Sequence, residues 1–140
     1  MVIREMSKDE CLRVLAGTRL ARLACASNNQ PYVVPVYLAY HEPSIGEACL
    51  YGYTTLGQKV EWMRANPQVC VEVDEVMSCT RWMSVIGFGH YEELPDMPEP
   101  DVGHPPARQA GHYYEIVPDE PSQAAERLLA YQLLQTQALW

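Results

Sequence analysis

The sequence predicts a mainly β protein, an antiparallel barrel with helices at its periphery. Two apolar runs rich in β-branched and aromatic residues, Pro31–Tyr40 and Ala48–Thr54, flank the polar segment His41–Glu47, as the strands of a hairpin do. About six strand patterns and three helix patterns follow one another without a regular β-α-β alternation, which favours an antiparallel barrel over a doubly wound sheet. Hydrophobic residues make up 48% of the 140 residues, so we expect one folded domain over residues 1–140.

The charge balance excludes two classes of partner. The chain has 10 Lys and Arg residues against 18 Asp and Glu residues, a formal net charge of −8, and no basic cluster relieves it. Nucleic acids and anionic membranes both need a basic face, so we expect neither as a partner. No apolar run approaches the roughly 20 residues that span a bilayer, and the N-terminus is too short and polar for a signal peptide. We therefore expect a cytoplasmic protein.

The cysteines and histidines do not predict a metal site. Five cysteines at wide spacing, with no CxxC pair, favour buried reduced thiols over a disulfide framework. The four histidines share no metal-ligand spacing. Three of the thiols lie at apolar positions of strand-like runs, namely Cys25, Cys49 and Cys70.

The first part of the chain predicts a capped helix, a strand and a turn. Ser7 and Glu10 form a capping-box pattern, and the helix that they begin ends at Gly17. Thr18–Ser27 has the composition of a strand, and Asn28–Gln30 that of a turn.

The middle of the chain predicts a short helix and two strands. Leu56–Ala65 is helical, with Leu56, Val60 and Met63 as its core stripe, and Asn66-Pro67 stops it. Gln68–Val76 alternates as a half-exposed strand does. Cys79–Leu94 is a long bent strand, with its kink or close backbone approach at Gly87 and Gly89.

The last third predicts a loop, a strand and a helix. Pro95–His112 holds five prolines, so no regular element runs through it. Tyr113–Val117 is a last strand, and a closing helix over residues 121–138 begins at Pro121. Its apolar stripe consists of Ala125, Leu128, Leu129 and Leu133.

The turn that joins the second hairpin strand to the helix predicts a phosphate site. Thr54 and Thr55 offer hydroxyls, the helix start after Gly57 offers free N–H groups, and Lys59 offers a cation. Threonine and glycine before a helix also serve as a plain cap, and an exposed helix lysine is commonly only solvated, so both interpretations stay open.

A series of short segments resembles the flavin-binding split-barrel superfamily of the pyridoxamine 5'-phosphate oxidases, and within it the nitroimidazole-resistance (Nim-type) branch. The segments stand in the family's order and cover roughly residues 5–94. They are Arg22–Ala24, Pro31–Val36, Leu50-Tyr51, Gly57–Lys59, Arg64–Asp74 and Ser84–Gly89.

The resemblance implies a six-stranded split barrel that forms a homodimer and binds FMN at the dimer interface. It implies that the flavin ring lies against the strand Val34, Pro35, Val36 and Tyr37. It implies that the turn with Thr54, Thr55 and Lys59 holds the phosphate, and that Ser84, beside Trp82, reaches the cofactor across the interface.

The sequence departs from the family at two positions of this turn. Gln58 stands where the family usually has Arg, which removes a bidentate phosphate partner. Tyr53 stands where many members of the branch have His, and it becomes the candidate catalytic residue, a proton donor to a reduced substrate.

Two functions of different classes follow. The first is an FMN-dependent oxidoreductase or flavin reductase, for which nitroaromatic small molecules are the substrate class that the resemblance implies. The alternative is a non-catalytic split-barrel dimer, a store or sensor that binds flavin, deazaflavin or haem. The alternative is retained because Gln58 stands where the family usually has the Arg that binds the phosphate.

Overall fold

A computed structural model describes residues 2–42, 44–45, 47–94, 111–119 and 129–134. In chain order the elements are β1 (Val2–Glu5), α1 (Lys8–Gly17), β2 (Leu20–Ser27), β3 (Gln30–Tyr37), β4 (Ala39–His41), β5 (Cys49–Thr55), α2 (Gln58–Ala65), β6 (Gln68–Ser78), β7 (Arg81–Glu93), β8 (Gly111–Pro118) and β9 (Leu129–Leu134).

All pairs between the described strands are antiparallel, and the sheet follows the order β3-β2-β6-β7-β8-β5-β4. Its two end strands, β3 and β4, are consecutive in the chain and separated only by Leu38. The sheet therefore curls until its ends approach each other, which is the geometry of a barrel. The prediction of a mainly β antiparallel barrel with peripheral helices is confirmed.

The first helix begins as the sequence predicts. The Ser7 backbone N–H donates to Glu10 Oε2 at 2.8 Å, and the Glu10 backbone N–H donates to Ser7 Oγ at 3.3 Å. This reciprocal pair satisfies two N–H groups that a helix start leaves open. Cys11 and Leu15 of α1 are buried and attach the helix to the barrel.

Alternate residues of the strands fill the barrel interior. In β6, Val69, Val71 and Val73 are buried, as predicted, and their neighbours face outward. Gly89 makes the predicted close approach, because a Cβ there would lie 2.5 Å from the Val117 carbonyl oxygen. The other buried core residues include Leu23, Val60, Met63, Val85, Tyr91, Tyr114 and Ile116.

The predicted strand count is wrong, because the described residues form nine strands. The run Pro31–Tyr40 is two strands, and only its end, β4, pairs with β5 as a hairpin. Leu38 breaks the run: it is 4% exposed and its N–H donates to the Arg19 carbonyl at 2.8 Å instead of to a neighbouring strand.

The predicted C-terminal helix is wrong over Leu129–Leu134, which forms β9 between β1 and β7. A short apolar run is compatible with the residue spacing of a helix and with that of a strand. Here its backbone groups pair with β1 on one side and with β7 on the other. The rest of residues 121–138 lies outside the described residues. Residues 95–110 of the predicted loop also lie outside the described residues. The predicted end of the loop at His112 is wrong, because Gly111 and His112 belong to β8.

Two smaller predictions differ from the structure. Helix α2 begins at Gln58, and Leu56 lies before it with 62% of its surface exposed, so Leu56 is not part of the core stripe. Cys70 is only partly buried on the outer face of β6, whereas Cys25 and Cys49 are buried as expected. No helix among the described residues is long and apolar enough to cross a membrane.

Candidate functional site

The turn between β5 and α2 leaves donors open at the helix start. Gly57 is the N-cap and has no side-chain cap, while its carbonyl accepts from the N–H groups of Val60 and Glu61 at 3.0 and 3.1 Å. The N–H groups of Gln58 and Lys59 belong to the first turn, where a helix supplies no partner. Nothing lies within 4 Å of the position of a Cβ at Gly57, so a ligand has room there. Lys59 makes no ion pair with any described residue.

The two threonines of this turn differ in exposure. Thr54 is 5% exposed, and its hydroxyl donates to the Thr55 carbonyl at 3.1 Å. It lies opposite His112 of β8. Thr55 is partly exposed and faces the outside of β5, so its hydroxyl is the one nearer to solvent.

Tyr53, the predicted proton donor, lies on the outer face of β5. It is 39% exposed, and its ring packs against Tyr113 with the ring centroids 4.9 Å apart. The two residues are direct cross-strand partners in the β5–β8 pair. The Tyr53 hydroxyl makes no hydrogen bond to a described residue.

Strand β3 divides its four predicted cofactor residues between two faces. Val34 and Val36 pair with the buried residues Leu23 and Ala21, and they face the barrel interior. Pro35 and Tyr37 face outward, and Tyr37 is 74% exposed. β3 is the first strand in the sheet order. One of its backbone edges pairs with β2, and the other edge pairs with none of the described strands.

Trp82 and Ser84 lie on the outer face of β7, opposite Val76 and Asp74 of β6. The Ser84 hydroxyl donates to Glu72 Oε1 at 2.7 Å. Glu72 lies 3.7 Å from the Arg22 guanidinium, which also pairs with Asp74. The hydroxyl proton of Ser84 is thus donated to Glu72.

Within one chain the predicted cofactor residues lie in three places: β3, the β5–α2 turn and the N-terminal half of β7. Two strands separate β3 from β7, which puts their axes about 14 Å apart along the sheet. A ligand that contacts both would need a second copy of the chain to bring them together.

A polar network near the turn was missed by sequence reasoning. Arg64 of α2 pairs with both carboxylate oxygens of Glu93, at 2.5 and 3.3 Å. The Tyr91 hydroxyl donates to Glu93 Oε1 at 2.9 Å and accepts from His112 Nε2 at 2.7 Å. No sequence signal joins these residues, because the β7–β8 register decides which of them meet.

The network shifts the titration of two of its members. The Arg64 guanidinium, with the Tyr91 hydroxyl, holds the pKa of Glu93 below its ordinary value. Burial, and then the Glu93 carboxylate, raises the pKa of Tyr91 above its ordinary value. Tyr91 is thus a neutral donor in this network. Within the described part of the chain, no three His, Cys, Asp or Glu side chains are placed to hold a metal ion.

Comparisons with known proteins agree with this architecture. An FAD-binding protein from Mesorhizobium loti matches with a TM-score of 0.75 and 35% identity, over 96% of this chain and 99% of the other. The FAD binding protein from Mycobacterium smegmatis matches with a TM-score of 0.65 over 94% and 99%, and at 16% identity it shows the fold alone. An uncharacterized protein from Rhizobium meliloti is 43% identical over 95 residues, 68% of this chain and 60% of its own length.

The sequence family described as pyridoxamine 5'-phosphate oxidase matches residues 7–103, which is more than half of the chain. The matched range contains α1, α2 and strands β2 to β7. It therefore contains all the predicted site residues. The chain therefore belongs to the pyridoxamine 5'-phosphate oxidase family.

Proposed function

We propose that the protein binds a flavin nucleotide and acts as a flavin-dependent oxidoreductase. The observation that carries the proposal is the open β5–α2 turn of a chain of this family. In this turn Lys59, which makes no ion pair with any described residue, lies beside helix N–H groups that have no side-chain cap. The FAD-binding protein from Mesorhizobium loti, which is 35% identical to this chain, supports the same ligand class.

The donors of the turn suit a phosphate. Backbone N–H groups at a helix start favour an anion, and Lys59 adds a full positive charge. Thr55 supplies a partly exposed hydroxyl, whereas the Thr54 hydroxyl is buried and already bonded to a carbonyl. We therefore assign phosphate binding to Thr55 and Lys59, with Thr54 shaping the turn from inside.

The ring of the flavin would lie against the outer part of β3. Pro35 and Tyr37 offer apolar surface there, and Val34 and Val36 hold the strand to the core. A bound flavin would supply the acceptance and release of electrons. The chain's own part is to hold the ring in place, exclude water and, at the Tyr53 hydroxyl, deliver a proton.

We further propose that a homodimer completes this site. The outer face of β3, β2, β6 and β7 carries several exposed large apolar side chains, and apolar surface grouped on one face is typical of an interaction site. Its exposed members are Leu20, Val33, Tyr37, Val76 and Phe88. A second copy on this face would bring Trp82 and Ser84 of one chain towards β3 of the other, which one chain alone cannot do.

FMN is the flavin that the sequence resemblance implies, and the Mesorhizobium loti protein makes FAD a second candidate. The Nim-type branch and nitroaromatic substrates stay predictions from the resemblance. Both flavins carry the same ring and a phosphate, so the turn and β3 serve either one.

Titration with riboflavin, FMN and FAD, followed by flavin fluorescence, tests the proposal. We expect both phosphorylated flavins to bind and riboflavin to bind at least tenfold more weakly, because riboflavin lacks the group that the turn holds. Equal binding of all three would contradict the assignment of the turn. Binding of flavin without turnover of any reductant or acceptor would favour the store or sensor.

A further inference from the structure

A charged cluster on the outer face of the sheet has no part in the phosphate turn. The Arg22 guanidinium of β2 pairs with Asp74 of β6 through Nη1, and the same nitrogen lies 3.7 Å from Glu72 Oε2. The Ser84 hydroxyl of β7 donates to the other carboxylate oxygen of Glu72 at 2.7 Å. The cluster therefore holds one cation against two carboxylates on a face that otherwise exposes large apolar side chains.

The ion pair between Arg22 and Asp74 leaves donors and an acceptor open. The contacts of Arg22 with described residues all run through Nη1, so its Nε and Nη2 donate to none of them. Asp74 meets Arg22 through Oδ1, and its Oδ2 accepts from no described residue. The two side chains are 42% and 26% exposed, so a ligand can reach these open groups. The ion pair holds a donor and an acceptor side by side.

Arg22 lies beside the strand that we assign to the flavin ring. It is the cross-strand partner of Pro35 in β3 and of Glu72 in β6, so the three side chains point to the same face. Neighbouring strands lie about 5 Å apart, which is less than the length of a tricyclic flavin ring. A ring that lies on Pro35 and Tyr37 with its long axis across the strands therefore extends over β2 to the pair of Arg22 and Asp74. On the other side of β3 no described strand offers it a surface.

We propose that Arg22 and Asp74 bind the imide edge of the flavin ring and so fix which way the ring lies on β3. The inference rests on the proposed function, which places the ring on this strand. The imide edge presents two carbonyl oxygens with the N3–H group between them. The open N–H groups of Arg22 match a carbonyl oxygen, and Asp74 Oδ2 matches N3–H, whereas the dimethylbenzene edge of the ring has no polar atom. Riboflavin, FMN and FAD share the imide edge, so the pair recognises the ring and not the phosphate.

The first test is the substitution Arg22→Lys, which keeps the positive charge beside Asp74 but replaces the fork of donors with one ammonium group. A residue that only neutralises Asp74 would tolerate this change. We expect Arg22→Lys to weaken FMN and riboflavin binding by the same factor, on the order of tenfold, because the lost contact is at the ring. Arg13→Lys, in helix α1, is the matched control and should leave both affinities unchanged.

The second test needs no variant. An FMN that is methylated at N3 cannot donate to Asp74, and the wild-type protein should bind it on the order of tenfold more weakly than FMN. Equal affinity in either comparison would overturn the proposal and leave the proposed function standing. So would an Arg22→Lys protein that loses flavin affinity and sediments as a monomer, because Arg22 would then act on the interface. Failure of the wild type to bind riboflavin, FMN and FAD alike would instead overturn the proposed function itself.

Discussion

The ring of Tyr114 occupies the space that a side chain at Gly52 would need. The two residues face each other in the β8–β5 pair, and a Cβ at Gly52 would fall 2.5 Å from the Tyr114 hydroxyl oxygen and 2.7 Å from Cε1. Tyr114 is 1% exposed, and burial raises its pKa to about 12. This contact locks β8 onto β5, the strand that leads into the β5–α2 turn.

Gly52→Ala should destabilise the protein. The added methyl group must displace a buried ring, and overpacking of this kind costs about 1–3 kcal/mol. Chemical denaturation should show a lower midpoint with an unchanged slope. Gly17→Ala is the matched control: nothing lies within 4 Å of its Cβ position, so the free energy of unfolding should stay unchanged or rise. Equal effects of both substitutions would contradict the packing account.

The capping box of α1 predicts a second loss of stability. Ser7→Ala removes the acceptor of the Glu10 N–H and should cost about 0.5–2 kcal/mol. Thermal unfolding at neutral pH measures it. A melting temperature equal to that of the wild type would mean that the cap contributes nothing to the folded state.

Glu10 should give the protein an acid-sensitive component of stability. The hydrogen bond from Arg4, and then the backbone N–H of Ser7, lowers the pKa of Glu10 from its ordinary value of 4.5 to about 2. Because the folded-state pKa is the lower one, this stabilisation is present above about pH 4.5 and is lost as the pH falls towards 2. Unfolding free energies of Glu10→Gln should therefore depend less on pH across that window. Identical pH profiles would contradict the pairing.

Flavin affinity should respond to charge at the β5–α2 turn. Lys59→Ala should weaken FMN binding, and Gln58→Arg should tighten it by about 1–3 kcal/mol, the scale of a charge-assisted hydrogen bond. Isothermal titration measures both. Lys8→Ala, in the first turn of α1, changes the net charge equally at a helix without this role and should leave affinity unchanged.

The outer sheet face should control association. Tyr37→Asp places a charge in the proposed interface and should yield monomers in sedimentation at micromolar concentration. Flavin affinity should fall as well, because the proposed site is built from both chains. Ile45→Asp replaces another exposed apolar side chain, which lies outside this face, and should leave the dimer intact. A monomeric wild type would refute the homodimer.

The Tyr53 hydroxyl should affect turnover and not cofactor binding. Tyr53→Phe keeps the ring that packs on Tyr113 and removes only the hydroxyl that we propose as the proton donor. General acids contribute roughly 10²–10⁴-fold, so steady-state reduction of a nitroaromatic acceptor should slow by at least tenfold at unchanged flavin affinity. Unchanged kcat would end the assignment of Tyr53 as donor.

Local patterns predicted those parts of the fold that depend on neighbours in sequence. The capping box at Ser7 and the alternation in Val69–Val73 are local signals, and both are confirmed. The prediction of a helix over Leu129–Leu134 is wrong, because the secondary structure of this run depends on its pairing with β1 and β7. No local sequence pattern contains that pairing.

The candidate site shows the same limit. The turn from Thr54 to Lys59 is contiguous, so the sequence places its donors together. The hydrogen bonds that join Glu93, Tyr91 and His112 depend on the β7–β8 register and had no sequence signal. The commitment of the Ser84 hydroxyl to Glu72 depends on the β6–β7 register in the same way.

The most direct test of the central claim is a visible absorbance spectrum of the freshly purified protein, repeated after addition of FMN or FAD and desalting. We predict a flavin spectrum that stays with the protein after desalting. A colourless protein that retains neither flavin would contradict flavin binding, and a Soret-like band would assign the site to haem.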